Sequence, residues 1–450
     1  MNTECIPDSL VVLIELLRSR LRSADFLNRH RRQPRAFTRQ RSLTFPVVML
    51  LLLQKSVKSI QRHLHEFLAK LAAGAEGELV TAGAWTQARA KLSHRALTEL
   101  NQAVVLPSFY TPEQKESRRL WRGHRVLGCD GSLLRLPEHP EVAREFGRQA
   151  VRNHHGATGT EYAPARLSVL YDLLNHLGLD AQVAAITQGE VELVLGQLEN
   201  VEENDVLIWD RGFTGFVLMA QTLARKAHFI GRCSCGSYLA AQQMFQANRG
   251  DHSQTVRLQA NPDQWAVLAE RGLPRHLTVR FVSVRLPDGK LEVLVTSLLA
   301  AELYPAAEFL EVYHWRWQHE TYYQMLKGRL DLENWSGKTP EAVRQDVQAA
   351  VLVSNLETLL SQPAQQELQA GDEGRKYPAQ VNRAVSYGAL KEHLLPLLWS
   401  ERPSREVLAE LQQWMKSNPV AVRPKRKAPR RMFSAFRSYH YQRHVRKMVF

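Results

Sequence analysis

The sequence predicts an α/β protein: a mixed sheet flanked by helices, interrupted by a mainly β insertion, with helical N- and C-terminal regions. Three observations lead there. Apolar residues recur at helical spacing in residues 8–110 and again from Pro340 to Met415. Between them, short apolar runs end at turn residues, as strands do. Within that middle stretch, Leu277–Leu286 and Lys290–Ser297 flank Pro287-Asp288-Gly289 in the pattern of a β-hairpin. With 450 residues and 44% hydrophobic content, the chain is long enough for two or three domains around a sizeable core.

Taken in order, Ser9–Leu17, Pro46–Leu53, Ile60–Leu71 and Leu92–Val105 read as helices, with an Arg-rich connector around Pro34 and breaks at Gly74, Gly77 and Gly83. Residues 1–110 are therefore expected to form a helical domain that binds DNA or, as the equal alternative, packs or dimerises. Within it, Thr86–Ser93 offers Gln87, Arg89 and Lys91 as candidate DNA contacts. The apolar run Leu43–Leu53 is too short to span a bilayer and contains Pro46, which argues for a buried helix and no membrane partner. Glu4 and Asp8 precede the apolar Leu10–Leu17 run, unlike a signal peptide. Four cysteines make no disulfide framework, and Cys233-Ser234-Cys235 lacks a companion pair for zinc, so a reducing cytoplasm is expected.

Charge is segregated. The net formal charge is +14; residues 423–450 carry ten Lys/Arg and no Asp/Glu, and residues 18–41 carry nine Arg against Asp25 alone. These windows contribute +10 and +8, leaving 14 − 18 = −4 for the rest. Two basic segments beside a slightly acidic middle point to a polyanion, with nucleic acid favoured over a membrane because neither segment shows a lipid-facing stripe.

The middle begins with a strand at Val126–Cys129, ending on Asp130. Strands Ala165–Leu174 and Leu179–Ile186 follow around the hairpin signal Asn175–Gly178, then a helix Glu190–Leu198. Val206–Trp209 is another buried strand, ending on Asp210, followed by a helix Phe216–Lys226 and a strand Ala227–Gly231. The order strand, strand, strand, helix, strand, helix, strand is that of an RNase H-like sheet, in which the first and fourth strands lie side by side and would make Asp130 and Asp210 neighbours. A mainly β insertion is placed at about residues 234–303, inside a catalytic domain of residues 111–362. Leu332–Gly337 reads as a loop with an exposed aromatic, Pro340–Leu360 as a long helix and residues 363–376 as a flexible joint. Residues 363–450 form a helical C-terminal region with a basic tail, whose Arg423, Lys425, Arg426, Lys427, Arg430 and Arg431 are candidate DNA contacts. Phe433, Phe436, Tyr439 and Tyr441 within the tail would stack on bases, unless the tail is merely solubilising.

The stretch Glu311–Lys327 reads as one helix. In it Tyr313, Arg316, Glu320 and Lys327 lie at offsets 0, 3, 7 and 14, within roughly 60° of one another at about 100° per residue. Alone, such a stripe suits a solvated face. Beside two strand-terminal acids, Glu320 becomes a third carboxylate. Three carboxylates without a His or Cys partner suit hard cations, Mg²⁺ with Mn²⁺ substituting, and two such ions can run an in-line phosphoryl transfer. Arg316 and Lys327 would clamp a phosphate, with Tyr313 donating to one of its oxygens. His314 and His319 point away from the stripe, and Trp315 and Trp317 are expected to be core anchors.

The pattern Tyr-x2-Arg-x3-Glu-x6-Lys, met by Tyr313, Arg316, Glu320 and Lys327, resembles the YREK signature of the insertion-sequence-four family of bacterial DDE transposases. Gly128-Cys129-Asp130-Gly131-Ser132 and Ile208-Trp209-Asp210-Arg211-Gly212 resemble the settings of that family's two aspartates. Gln87–Leu92 and Glu333–Gly337 resemble segments common in its members. The resemblance implies cut-and-paste transposition by a homodimer on double-stranded DNA, the terminal inverted repeats and the target, through strand cleavage, hairpin formation and strand transfer. It also implies two metal ions per active site, a flipped base, and action in the bacterial cytoplasm in association with the nucleoid. The alternatives are a two-metal nuclease on the same fold and a domesticated, non-catalytic DNA-binding protein.

Overall fold

The computed structural model describes residues 6–39, 41–55, 58–71, 79–153, 156–371 and 374–423. The chain divides into two compact units: Lys115–Leu134 with Ala165–Gln324, and Met1–Gln114 with Arg135–Pro164 and Met325–Phe450. In chain order the strands are β1 (Val126–Arg135), β2 (Gln149–Asn153), β3 (Gly156–Tyr162), β4 (Pro164–Asp172), β5 (Leu177–Ala185), β6 (Val206–Trp209), β7 (His228–Cys233), β8 (His252–Gln259), β9 (His276–Arg285) and β10 (Leu291–Thr296).

The first unit is built on a mixed sheet of order β5-β4-β1-β6-β7-β10-β9-β8. β6 runs parallel to both β1 and β7, while β4 with β5 and β10 with β7 and β9 are antiparallel. Its first five strands have the RNase H-like order expected from the sequence, with β1 beside β6. Val206–Trp209 is buried throughout, as a central parallel strand with both faces covered must be, and Trp209 stacks on Phe229 at 5.2 Å. The insertion extends this same sheet: β7 pairs with β10, and β8 and β9 follow outward. Helices Leu239–Ala247 and Trp265–Glu270 accompany its strands.

Two expectations are corrected here. β1 does not stop at Asp130 but continues to Arg135; what ends there is burial, since Val126–Cys129 are buried and Asp130–Ser132 half-buried. The single helix expected over Glu311–Lys327 is instead Phe309–His314, a tight turn, Trp317–Gln324 and a π-helical turn Met325–Arg329. At the tight turn, Trp315, Arg316, Gln318 and His319 each donate to the carbonyl three residues back, the tighter bonding that short 3₁₀ pieces use where side chains crowd. The uniform wheel therefore does not hold along the signature.

The second unit is helical, built around Pro340–Ala370, whose residues Val347 to Ser361 are buried without a break. β2 and β3 pair as a two-stranded ribbon. Phe45–Leu53 is a fully buried helix apart from Pro46, which occupies its first turn. The flexible joint expected at 363–376 is corrected: the helix continues through Pro363 to Ala370. Pro363 forfeits one intrahelical bond, but it is itself buried, and the buried Ala364 and Leu368 hold the last turns to the core. Among the described residues, no helix is long and apolar enough to cross a membrane.

Candidate active site

Asp130 lies within β1, Asp210 directly follows the adjacent β6, and Trp317–Gln324 carries Glu320. All three carboxylates face one guanidinium. Arg316 Nη2 stands 3.1 Å from Glu320 Oε1, and Nη1 lies 3.8 Å from Asp130 Oδ2 and 3.9 Å from Asp210 Oδ2. Arg316 is buried. Burial opposes its charge, but Tyr313 and the three carboxylates outweigh it and raise its pKa. Burial pushes the Asp130 carboxyl up to about 6, despite the Gly131 backbone N–H (2.8 Å) and Arg316, with Glu190 and Asp210 adding to the rise. Burial also raises Asp210, yet the Arg211 backbone N–H (2.7 Å), Arg316 and Arg232 prevail and hold it below the usual range. Two neighbouring carboxyls are thus driven in opposite directions.

Among the described residues, no three His, Cys, Asp or Glu side chains stand close enough to hold an ion; the guanidinium takes the place between the acids. The donor set nevertheless fits a hard cation: carboxylate oxygens from three elements, already gathered around one positive group.

Further residues complete the site. Arg232 on β7 donates to Asp210 Oδ1 at 2.9 Å and to Glu292 on β10 at 2.8 Å. The Tyr313 hydroxyl is 3.5 Å from Asp210 Oδ1, and burial keeps it protonated. Glu190 pairs with Arg166 at 3.3 Å and approaches Gly131, where a Cβ would lie 2.8 Å from Glu190 Oε1. Arg232, Glu292 and Glu190 escaped sequence reasoning, because only the β7/β10 pairing and the close approach at Gly131 bring them in. His319 is buried and stacked between Tyr171 (5.7 Å) and Tyr323 (4.8 Å), and burial pushes its pKa down to about 3; it is a packing residue. Trp317 is 43% exposed, not a core anchor. The tight turn rotates it outward, with Arg316 against its ring at 5.5 Å.

In the helical unit, Lys327 lies in the π-helical turn, where burial lowers its pKa against the pull of Glu333. Gln87 is exposed and Lys91 half-buried. Arg89 as a DNA contact is corrected. It is buried and donates to Gln345 (2.7 Å), Ser336 (2.6 Å), the Ala342 carbonyl (2.7 Å) and Asp346 (2.8 Å), which commits four of the five N–H groups of its guanidinium within the fold. Trp335 is likewise not the exposed aromatic expected: it is buried, and its indole N–H donates to the Arg135 carbonyl at 2.7 Å. A Cβ at Gly337 would meet Ala342 Cβ at 2.6 Å and Arg89 Nη1 at 3.0 Å, so glycine is needed there. Arg423 lies over the Tyr377 ring at 5.9 Å. Lys425, Arg426, Lys427, Arg430 and Arg431 lie outside the described residues.

Residues 121–356, more than half of the chain, match the family model described as the transposase DDE domain. The chain belongs to that family. It is 28% identical over 246 residues to the transposase InsG for insertion sequence element IS4 of Escherichia coli (strain K12), covering 52% of each chain. It is also 28% identical over 93 residues to the putative transposase InsZ of the same organism, covering 21% of this chain and 30% of that one. The chain thus aligns with about half the length of the first of these relatives. Among solved structures, the piggyBac transposase synaptic complex with hairpin DNA aligns over 89% of this chain and 85% of its own, at 11% identity and a TM-score of 0.43, too loose a likeness to carry an inference.

Proposed function

We propose that the chain is a DNA transposase that moves its own insertion sequence by cut-and-paste phosphoryl transfer, with Asp130, Asp210 and Glu320 as its catalytic carboxylates. The observation that carries this reading is the convergence of these acids, from a strand, the end of its neighbour and one helix, on the single guanidinium of Arg316. Asp130, Asp210 and Glu320 would hold divalent cations, Mg²⁺ with Mn²⁺ substituting and two per site, which activate a nucleophilic oxygen and stabilise the leaving one. Arg316 exchanges its carboxylate contacts for a phosphate oxygen when DNA enters, as a fork that fits either anion. Tyr313 donates its hydroxyl proton to the same phosphate, and Lys327 supplies a point charge. Arg232 holds Asp210 in register against Glu292.

The partners are double-stranded DNA, the element's terminal inverted repeats and its target, and a second copy of the chain, acting in the bacterial cytoplasm at the nucleoid. The helical domain of residues 1–110 supplies DNA contacts through Gln87, Lys91 and the exposed arginines of the connector, and the tail from Arg423 onward supplies phosphate contacts.

The test uses Asp130→Asn, Asp210→Asn and Glu320→Gln. Each is expected to abolish strand cleavage of DNA carrying the element's ends while leaving binding of those ends in place. Substantial Mg²⁺-dependent cleavage by any of the purified variants overturns the assignment.

A further inference from the structure

Tyr323 follows Glu320 by three residues and reaches into the sheet. Its hydroxyl lies 2.7 Å from the carbonyl oxygen of Asp130 and 3.1 Å from the backbone nitrogen of Val169, with the Leu167 carbonyl farther off at 3.4 Å. A hydroxyl has one proton and accepting lone pairs, so the short contact is its donation to Asp130 and the Val169 N–H is the donor to it. The bridge joins two neighbouring strands of the sheet. Just past the end of β4, Leu173 N donates to Val126 O at the start of β1 at 2.9 Å. Asp130 lies on β1 and Val169 on the neighbouring β4. The bridge runs C=O···H–O···H–N from Asp130 through Tyr323 to Val169. The ring itself is clamped by His319 at 4.8 Å, and Tyr322 beside it stacks on Tyr171 at 4.2 Å. Gly128 leaves room for this seam: a Cβ there would stand 2.8 Å from Leu173 Cδ2 and 3.2 Å from His319 Nδ1.

We propose that Tyr323 is a positioning residue: its hydroxyl, set between Asp130 and Val169, ties β1 to β4 and fixes the distance from the helix of Glu320 to the strand of Asp130. It touches no reacting group. One side chain measures off two of the three carboxylates against each other, and the proposal rests on the reading of those carboxylates as catalytic.

The test is Tyr323→Phe in the full chain, which keeps the ring and its stacking and removes the bridge. Two readouts are taken. Without DNA or metal, amide hydrogen exchange at Val169 is expected to rise about tenfold or more as its acceptor disappears. On DNA carrying the element's ends, kcat for strand cleavage is expected to fall by roughly 10- to 100-fold with KM unchanged, the cost of a misplaced carboxylate. Replacing Tyr323 by 4-aminophenylalanine, which restores an N–H donor on the same ring, is expected to recover most of kcat. Unchanged exchange at Val169, wild-type kcat in Tyr323→Phe, or a rise in KM that accounts for the loss each overturns the proposal. A wild-type protein that fails to cleave at all refutes the proposed function instead, and the exchange at Val169 then decides the bridge by itself.

Discussion

Arg316 Nη2 stands 3.1 Å from Glu320 Oε1, so the residue proposed to clamp phosphate is paired with a residue proposed to hold metal. The same guanidinium faces Asp130 and Asp210. It offsets the repulsion of three carboxylates when no other cation is present. Replacing Arg316 by Ala is therefore expected to lower the melting temperature of the metal-free protein and to enlarge the rise produced by Mn²⁺, because the ion then supplies the missing charge and binds the folded state alone. Thermal unfolding with and without Mn²⁺ checks this. An Mn²⁺ effect equal to that on the wild type would show that the carboxylates do not compete for one cation.

The opposed behaviour of Asp130 and Asp210 gives a pH dependence whose sign can be worked out. Burial raises folded Asp130 to about 6, above the roughly 3.9 of an unfolded aspartate. Between these values the folded state binds more protons than the unfolded one, so this group adds stability as pH falls from 7 toward 4 and costs stability above 6. The cost at pH 7 is on the order of 3 kcal/mol, since each of the roughly two pH steps between the two values corresponds to about 1.4 kcal/mol. Asp130→Asn removes it. The variant is expected to melt higher than the wild type at pH 7, with the difference shrinking by pH 5. Melting curves across that range test the claim, and equal melting at pH 7 would contradict it.

Arg89 and Asp346 form a buried ion pair at 2.8 Å, with Asp346 also accepting from the Ser336 backbone N–H at 2.8 Å. Burial raises the Asp346 carboxyl, but Arg89, Lys55 and Ser336 outweigh it and depress it; its contribution is present at neutral pH and lost as pH falls below the ordinary aspartate value. Removing one partner strands the other charge. Arg89→Ala or Asp346→Ala is expected to destabilise the helical unit by about 3–5 kcal/mol, whereas Arg89→Met with Asp346→Leu recovers much of the loss. Urea unfolding of the three variants decides it, and a double variant no better than the singles would show that hydrogen bonding rather than charge dominates.

These residues also show where sequence reading succeeds and where it stops. Asp130 and Asp210 are legible because the apolar runs before them mark strands, and the alternation of strands and helices fixes which strands become neighbours. Glu320 is legible through its spacing from Tyr313 and Arg316. Arg89 and Trp335 mislead because exposure depends on a partner distant in sequence: Asp346 for one and the Arg135 carbonyl for the other. The run from Glu311 to Lys327 reads as one helix because no Gly or Pro interrupts it, while the crowding of Trp315, Arg316 and Trp317 that tightens the chain has no such marker. Arg232 and Glu292 are invisible, since nothing before the β7/β10 pairing relates them to Asp210.

The basic connector gives the last prediction. Several of the arginines between residues 18 and 41 are committed within the fold: Arg18 donates to the Leu397 and Arg402 carbonyls at 2.6 and 3.0 Å, Arg20 and Arg29 pair with Glu99 at 3.2 and 2.6 Å, and Arg22 pairs with Glu401 at 3.4 Å. Arg32, Arg35, Arg39 and Arg41 are exposed. The segment is anchored at its start, where Arg32 N donates to Lys91 O at 2.8 Å and Ser93 N to His30 O at 2.9 Å, and Phe37 packs edge-on against Phe45 at 5.6 Å. An anchored loop keeps its charges outward with little further ordering cost on binding. Changing Arg32, Arg35, Arg39 and Arg41 together to Gln is expected to weaken binding to any duplex DNA and to flatten the plot of log K against log salt by about 0.9 for each phosphate no longer neutralised. Arg20→Gln with Arg29→Gln removes as much charge per residue from pairs already satisfied, and is expected to lower stability while leaving the slope in place. Fluorescence anisotropy across a salt series separates the two sets, and an equal fall in slope from both would show that net charge, not the connector, sets the affinity.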